Sequence, residues 1–216
     1  MDLTYFERSL RALGYKYIGG VDEAGRGPLV GPVVSACVVL PVNFKAPGLT
    51  DSKQLTKKQR DYYYDLIQAQ ALGIGIGIIT AKRIDEVNIY EATKEAMLLA
   101  CNNINCPLEY VLIDYMPLEL KIPHQALIKG DSCSLSIAAA SVIAKVTRDR
   151  ILIELDQKYP QYGFKQHKGY PTKGHLQALK KYGIVNEYRL SYKPVQKIIK
   201  EKEQQRQNII KEEKRV

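Results

Sequence analysis

The stretch YIGGVDEAGRGPLVGPVVSACVVLP, residues 17–41, sets two β-branched runs on either side of a turn-rich segment. YIGGVD (17–22) and PVVSACVVLP (32–41) read as adjacent strands, with the glycines and proline of EAGRGPLVG redirecting the chain between them. A third strand is expected at GIGIGIIT (73–80), where alternating glycine leaves one face bare for close approach of a helix or another backbone. Between these runs, TKKQRDYYYDLIQAQ reads as a helix capped by Thr56. Downstream, NIYEATKEAMLLACNNI has helical periodicity, and YVLID (110–114) and HQALIK (124–129) read as short strands. The Ala-rich segment from Ser132 to about Lys158 reads as a long helix closed by Pro160. Three strands in quick succession, followed by strands alternating with helices, predict an α/β fold with a mixed sheet flanked by helices.

The 216 residues suit one main domain with an appendage, and 32 Lys and Arg against 23 Asp and Glu give a net charge of +9, which points to a polyanionic partner. Cys37, Cys101, Cys106 and Cys133 are widely spread without a C-x-x-C pair and read as small hydrophobes in a reducing cytosol. No apolar run is long enough to span a bilayer, and MDLTYFERSLRALGYKY carries acids that suit a short amphipathic helix better than a signal peptide. A soluble, cytoplasmic protein is expected. The segment from Gln157 to Asn186 holds six lysines and five aromatics without Asp or Glu, the most one-sided charge block in the chain. From Lys193 to Val216, basic residues alternate with Glu and Gln, the pattern of a solvated helix.

Asp22 and Glu23 adjoin where the first strand meets its glycine-rich turn, an odd place for neighbouring acids unless a cation compensates them. Successive strand residues face opposite sides, so both reach one site only if the pleat breaks at Ala24 and Gly25. Asp114 ends the strand YVLI, and Asp131 follows a strand and a glycine at the start of the Ala-rich helix. Helix capping or a turn role would equally account for either of these two acids. Convergence of all four at one sheet edge would instead favour hard, oxygen-loving magnesium or manganese over zinc. A pair of such ions could activate water for attack on a phosphodiester.

Five blocks then occur in order: VDEAGRGPLVGPVVSACVVLP, TDSKQLTKKQR, YVLID, KGDSCSLSIAAASVIAKVTRD and YGFKQHKGYPTKGH. Together, across roughly residues 15 to 190, they closely resemble the ribonuclease HII family. The resemblance implies a ribonuclease H-like mixed five-stranded sheet within a catalytic domain over residues 1–190. A C-terminal helical region, about 157–190, would help to form the substrate groove, followed by a charged helical tail over 191–216. It assigns Asp22, Glu23, Asp114 and Asp131 as catalytic ligands of two divalent ions, magnesium or manganese. Gly25, Arg26 and Gly27 would grip the ribonucleotide around its 2′-hydroxyl, with glycine permitting close backbone approach. Tyr170 would pack against the deoxyribose beyond the ribonucleotide, and Lys53 would contact phosphate.

The implied enzyme is a monomeric endonuclease acting on RNA-DNA hybrids and on duplex DNA containing ribonucleotides. It would cleave on the 5′ side of a ribonucleotide, leave 3′-hydroxyl and 5′-phosphate ends, and serve ribonucleotide excision and RNA primer removal. One departure stands beside the fourth-strand acid, where many relatives carry a small residue and this chain has Tyr115, which is expected to crowd the strand exit. A basic, non-catalytic nucleic-acid-binding module would share the charge, yet would leave acids standing at strand ends beside a polyanion with no compensating gain.

Overall fold

The computed structural model describes residues 2–213. The two opening runs form β1 (Ile18–Ala24) and β2 (Val33–Val39), and the Gly/Ile repeat forms β3 (Gly73–Ile79). These three pair antiparallel, with Val21 opposite Cys37 and Cys37 opposite Gly75. β4 (Tyr110–Asp114) runs parallel to β1, and β5 (His124–Leu127) runs parallel to β4. The five-stranded sheet has the order β3-β2-β1-β4-β5, the mixed sheet expected from the sequence. The helices are α1 (Tyr5–Ala12), α2 (Lys57–Gln70), α3 (Ala81–Asn102), α4 (Leu135–Lys158), α5 (Phe164–His167), α6 (Lys173–Tyr182) and α7 (Lys193–Glu213). None of the described helices is long and apolar enough to cross a membrane.

Local chemistry sets the helix starts. Thr56 caps α2 through a reciprocal pair: its hydroxyl accepts the Gln59 N–H at 3.3 Å and the Gln59 side chain accepts the Thr56 N–H at 2.9 Å. α3 begins at Ala81 rather than at Asn88, and kinks at Asn88, whose φ is 72°. The Asn88 side chain accepts the N–H groups of Tyr90 and Glu91, restarting the helix after the break. The long Ala-rich helix starts at Leu135 with Ser134 as its cap, so Asp131 is not its cap and lies in a separate 3-10 turn, Gly130–Ser132. Buried Glu7 of α1 also serves this end of α4, accepting from the Ser134 hydroxyl at 2.7 Å and the Ser136 N–H at 2.9 Å.

Strand alternation puts Gly20, Val38 and Ile74 on one face of the sheet and Val21, Cys37 and Gly75 on the other. α4 covers the first face so closely that a β-carbon on Gly20 would fall 2.1 Å from the Ser136 carbonyl carbon. On the opposite face, β-carbons at Gly75 and Gly77 would each fall 2.0 Å from a carbonyl oxygen of α3, those of Ala100 and Ala96. The alternating glycines of β3 therefore form the seat of a helix, as their spacing suggested.

A separate apolar cluster holds the C-terminal region, joining Leu29 and Val30 of the β1–β2 connection to Tyr162, Phe164, Leu179 and Tyr188. Val195 and Ile198 are buried in this cluster, so one side of the first turns of α7 packs against the body, while residues 202–208 are exposed. Residues 214–216 of the expected tail lie outside the described residues. The lysine block is less one-sided in space than in sequence. Lys158 pairs with Glu187 at 3.2 Å, Lys165 with Asp156 at 3.8 Å and Lys180 with Glu201 at 2.9 Å.

Candidate metal and nucleic-acid site

The sheet register explains why distant acids meet. β1 and β4 pair Gly20 with Leu112, and Asp22 and Asp114 each stand two residues further on. Both therefore project on the α4 face at the C-terminal ends of neighbouring parallel strands. Asp131 enters on the same face from the 3-10 turn that leads into α4, and the Gly130 N–H donates to Asp114 Oδ1 at 2.7 Å. Carboxylate oxygens of Asp22, Asp114 and Asp131 all lie within 4.8 Å of one another.

Glu23 stands apart from this trio. The β1–β2 ladder continues through Glu23 opposite Ser35 and Ala24 opposite Val34, so the pleat does not break at Ala24. The chain turns only at Gly25, with φ of 103°. Glu23 instead lines a cavity that Asp114 and Asp131 also face, and reaches Arg26 at 3.7 Å. That cavity, about 480 Å³, is also lined by Asp51, Lys53, Asp114, Tyr115 and Asp131. Tyr115 adopts φ of 55° and is 66% exposed, so its ring stands at the rim rather than crowding the strand exit.

The electrostatics of this cluster call for a cation. Burial first, then the charges of Glu23 and Asp114, push the Asp22 carboxyl well above its usual range. Desolvation likewise raises Glu23, Asp114 and Asp131, and each also feels a neighbouring acid. Partial burial opposes the Lys53 charge, yet Asp51, Asp22, Asp131 and Glu23 together hold its ammonium above the ordinary value. The Lys53 Nζ is 4.0 Å from Asp51 Oδ1. An all-oxygen carboxylate set of this kind fits a hard divalent ion such as magnesium or manganese.

Beside the acids, the Gly25–Arg26–Gly27 turn is braced from beneath by fully buried Arg189. Its guanidinium donates to the carbonyls of Gly25 at 2.7 Å, Arg26 at 3.0 Å and Gly31 at 3.0 Å, and Tyr192 donates its hydroxyl to the Arg26 carbonyl at 2.5 Å. All described peptides are trans, so the N–H groups of Arg26 and Gly27 point away from Arg189. Buried Arg148 donates to the carbonyls of Val30, Pro32 and Lys168, joining the turn region to the 168–170 loop. A β-carbon on Gly27 would lie 3.5 Å from the Tyr170 ring, which is 45% exposed.

A family model described as Ribonuclease HII matches residues 19–195. The chain belongs to the ribonuclease HII family. The ribonuclease HII of Bacillus cereus (strain Q1) is 54% identical over 199 residues, which span 92% of this chain and 77% of that protein. That of Bacillus anthracis (strain CDC 684 / NRRL 3495) is 52% identical over 200 residues, 93% of this chain and 78% of its own length. Among solved structures, ribonuclease H2 from Pyrococcus horikoshii OT3 superposes with a TM-score of 0.71 at 29% identity, covering 84% of this chain and 96% of that one. Bst-RNase HIII, solved in complex with Mn2+, gives 0.68 at 16% identity over 85% of this chain and 69% of its own, a likeness of fold. Membership makes the chain a ribonuclease H-type hydrolase of a metal-dependent family, with the ribonuclease H-like sheet expected from the sequence.

Several ribonuclease HII site neighbours escaped sequence reasoning. Asp51 lines the cavity as a fourth acid beside Glu23, Asp114 and Asp131, from a loop whose sequence gave no local signal. Arg148 and Arg189 are the two largest fully buried side chains, although arginine in a helix or loop ordinarily reads as solvated. Burial, then the Arg189 charge, pulls Arg148 down to about 10, still charged at neutrality.

Proposed function

We propose that this cleft hydrolyses the phosphodiester on the 5′ side of a ribonucleotide embedded in duplex DNA or in an RNA-DNA hybrid. The observation that carries the reading is the cluster of Asp22, Asp114 and Asp131 carboxylates, two of which, Asp114 and Asp131, open with Glu23, Arg26 and Lys53 into one cavity. Water adds to phosphorus, the bond to the upstream O3′ breaks and that oxygen takes a proton, leaving 3′-hydroxyl and 5′-phosphate ends. Asp22, Asp114 and Asp131, with Glu23 beside them, are the residues that would hold two magnesium or manganese ions. When bound, such ions supply positive charge against the oxygens that enter and leave the phosphate.

The protein's own groups account for selectivity in this reading. The outward N–H groups of Arg26 and Gly27 suit a ribose 2′-hydroxyl, a polar group that an unmodified deoxyribose lacks. Tyr170, beside Gly27, offers a flat apolar face to the following deoxyribose. Arg26 and Lys53 meet phosphate. The same reading gives a monomeric, cytoplasmic enzyme of ribonucleotide excision and RNA primer removal. Its test is a duplex carrying one ribonucleotide, incubated with magnesium, manganese or a chelator, with product ends mapped. A single metal-dependent nick 5′ of the ribonucleotide is expected. Cleavage 3′ of it, or equal cleavage in chelator, refutes the proposal.

A further inference from the structure

Tyr170 sits on a short loop whose successive carbonyls are all held. Arg148 donates to the Lys168 carbonyl at 3.0 Å, the Leu29 N–H to Gly169 at 2.8 Å, and His175 Nδ1 faces the Tyr170 carbonyl at 2.8 Å. A carbonyl oxygen only accepts, so His175 carries its proton on Nδ1. Its Nε2 then accepts from the Tyr188 hydroxyl at 2.8 Å, with both partners buried. His175 is completely buried and stacks on His167 at 4.1 Å between ring centroids. Burial pulls its imidazolium down to about 4, so the ring is neutral in ordinary buffers.

His167 has the opposite tautomer. Its Nδ1 accepts the Gly169 N–H at 3.2 Å, while its Nε2–H donates to the Tyr162 carbonyl at 2.9 Å. Two neutral imidazoles of complementary tautomer therefore fix the loop from below. Tyr188, which orients His175, is followed by Arg189, which holds the carbonyls of the Gly25–Gly27 turn. One two-residue segment thus governs both sides of the gap between that turn and the Tyr170 ring.

We propose that His175 is a positioning residue for substrate selection: through its Nδ1–H on the Tyr170 carbonyl, with Tyr188 fixing the tautomer, it sets the ring at the distance from the Gly25–Gly27 turn that distinguishes a ribose–deoxyribose junction from continuous RNA. The inference rests on the proposed role of Tyr170. The Tyr170 carbonyl also accepts the Thr172 N–H at 2.8 Å, and what His175 adds to that contact depends on one atom, the proton on Nδ1, and not on the charge of the ring. Asparagine can place its amide N–H where Nδ1–H stands, whereas glutamine reaches the Nε2 position.

The experiment measures kcat/KM on a duplex with a single ribonucleotide and on a long RNA-DNA hybrid, for the parent, Tyr170→Ala, His175→Asn, His175→Gln and Tyr188→Phe. The ratio between substrates should fall about threefold to tenfold in His175→Gln, the kinetic equivalent of one buried hydrogen bond, and be largely kept in His175→Asn. Nitrogen-15 NMR of the parent should show His175 protonated on Nδ1, and Tyr188→Phe should mix the tautomers and lower the ratio. An Nε2-protonated His175 in the parent overturns the proposal, even if the glutamine variant fails to fold. So does equal loss on both substrates, or an unchanged ratio in His175→Gln while Tyr170→Ala loses it, and in that last case the junction reading of Tyr170 survives. An unchanged ratio in Tyr170→Ala removes the junction reading itself, and this inference with it.

Discussion

Replacing Asp22 with Asn should stabilise the metal-free protein while sharply weakening its response to metal. Asp22 is 4% exposed, and its carboxylate lies within 4.8 Å of those of Asp114 and Asp131. At an effective dielectric of roughly 20, each fully ionised pair at that separation repels by about 3 kcal/mol. The raised carboxyls already relieve part of this by holding protons, leaving a gain of about 1–3 kcal/mol when one charge is removed. Asn retains an oxygen for the Glu23 N–H that Asp22 now accepts at 2.6 Å, so no hydrogen bond is forfeited.

In a domain of this size the gain corresponds to a melting temperature higher by about 2–10 °C in chelator. Because the Asp22 carboxyl is raised, its destabilising ionisation is suppressed in acid and grows as pH rises. The advantage of the variant should therefore shrink as pH falls from neutrality toward the ordinary carboxylate range. Metal at a hundredfold excess over its dissociation constant should stabilise the parent by about 2.7 kcal/mol and the variant far less. Thermal melting with and without magnesium or manganese, beside a nicking assay, reads both effects. A variant less stable than the parent in chelator, or an equal metal-induced shift, would refute the reasoning.

Gly25→Ala should cost about 1–2 kcal/mol for a β-carbon on left-handed backbone and about 1–3 kcal/mol for overpacking, since that carbon would fall 2.1 Å from Arg148 Nε. Urea denaturation checks this, and a midpoint equal to the parent's would contradict it. Arg189→Met should lose about 2–4 kcal/mol by stranding the carbonyls of Gly25 and Gly31, and a loss below about 0.5 kcal/mol would show that water replaces the guanidinium. Neutralising Lys168 and Lys173 should lower the slope of log affinity against log salt by about 2, at roughly 0.9 per phosphate contact. The same change at Lys158 and Lys180, which face Glu187 and Glu201, should lower it much less, and equal slopes for the two pairs would place the phosphate track elsewhere.

Much of the sheet was legible because its strands are β-branched runs punctuated by glycine and proline, and β4 was read to the residue at Tyr110–Asp114. The meeting of Asp22 and Asp114 was likewise implicit in strand ends, though it needed the Gly20–Leu112 register, a long-range fact, to become definite. The start of the long helix reads three residues early because two candidate caps, Asp131 and Ser134, stand close together, and it is Ser134 that accepts from Ile137. The lysine block looked uniformly cationic because its counter-charges lie outside it in sequence. The arginine supports were invisible for a different reason: backbone carbonyls, which every residue carries, are their partners, so no complementary acid marks them.

Those two guanidiniums have a consequence for how the protein meets a charged polymer in salt. Attraction by exposed lysines decays over a Debye length of about 8 Å at physiological ionic strength. Arg148 and Arg189 are 1% and 0% exposed, and neither forms an ion pair among the described residues. Mobile ions cannot approach them as they approach a surface ammonium, so their charge behind the glycine turn is screened less than that of the lysines. Recruitment and local grip should then separate as salt rises: long-range capture weakens with the lysines, while a phosphate brought against Arg26, as proposed, would keep the charge of the two arginines behind it.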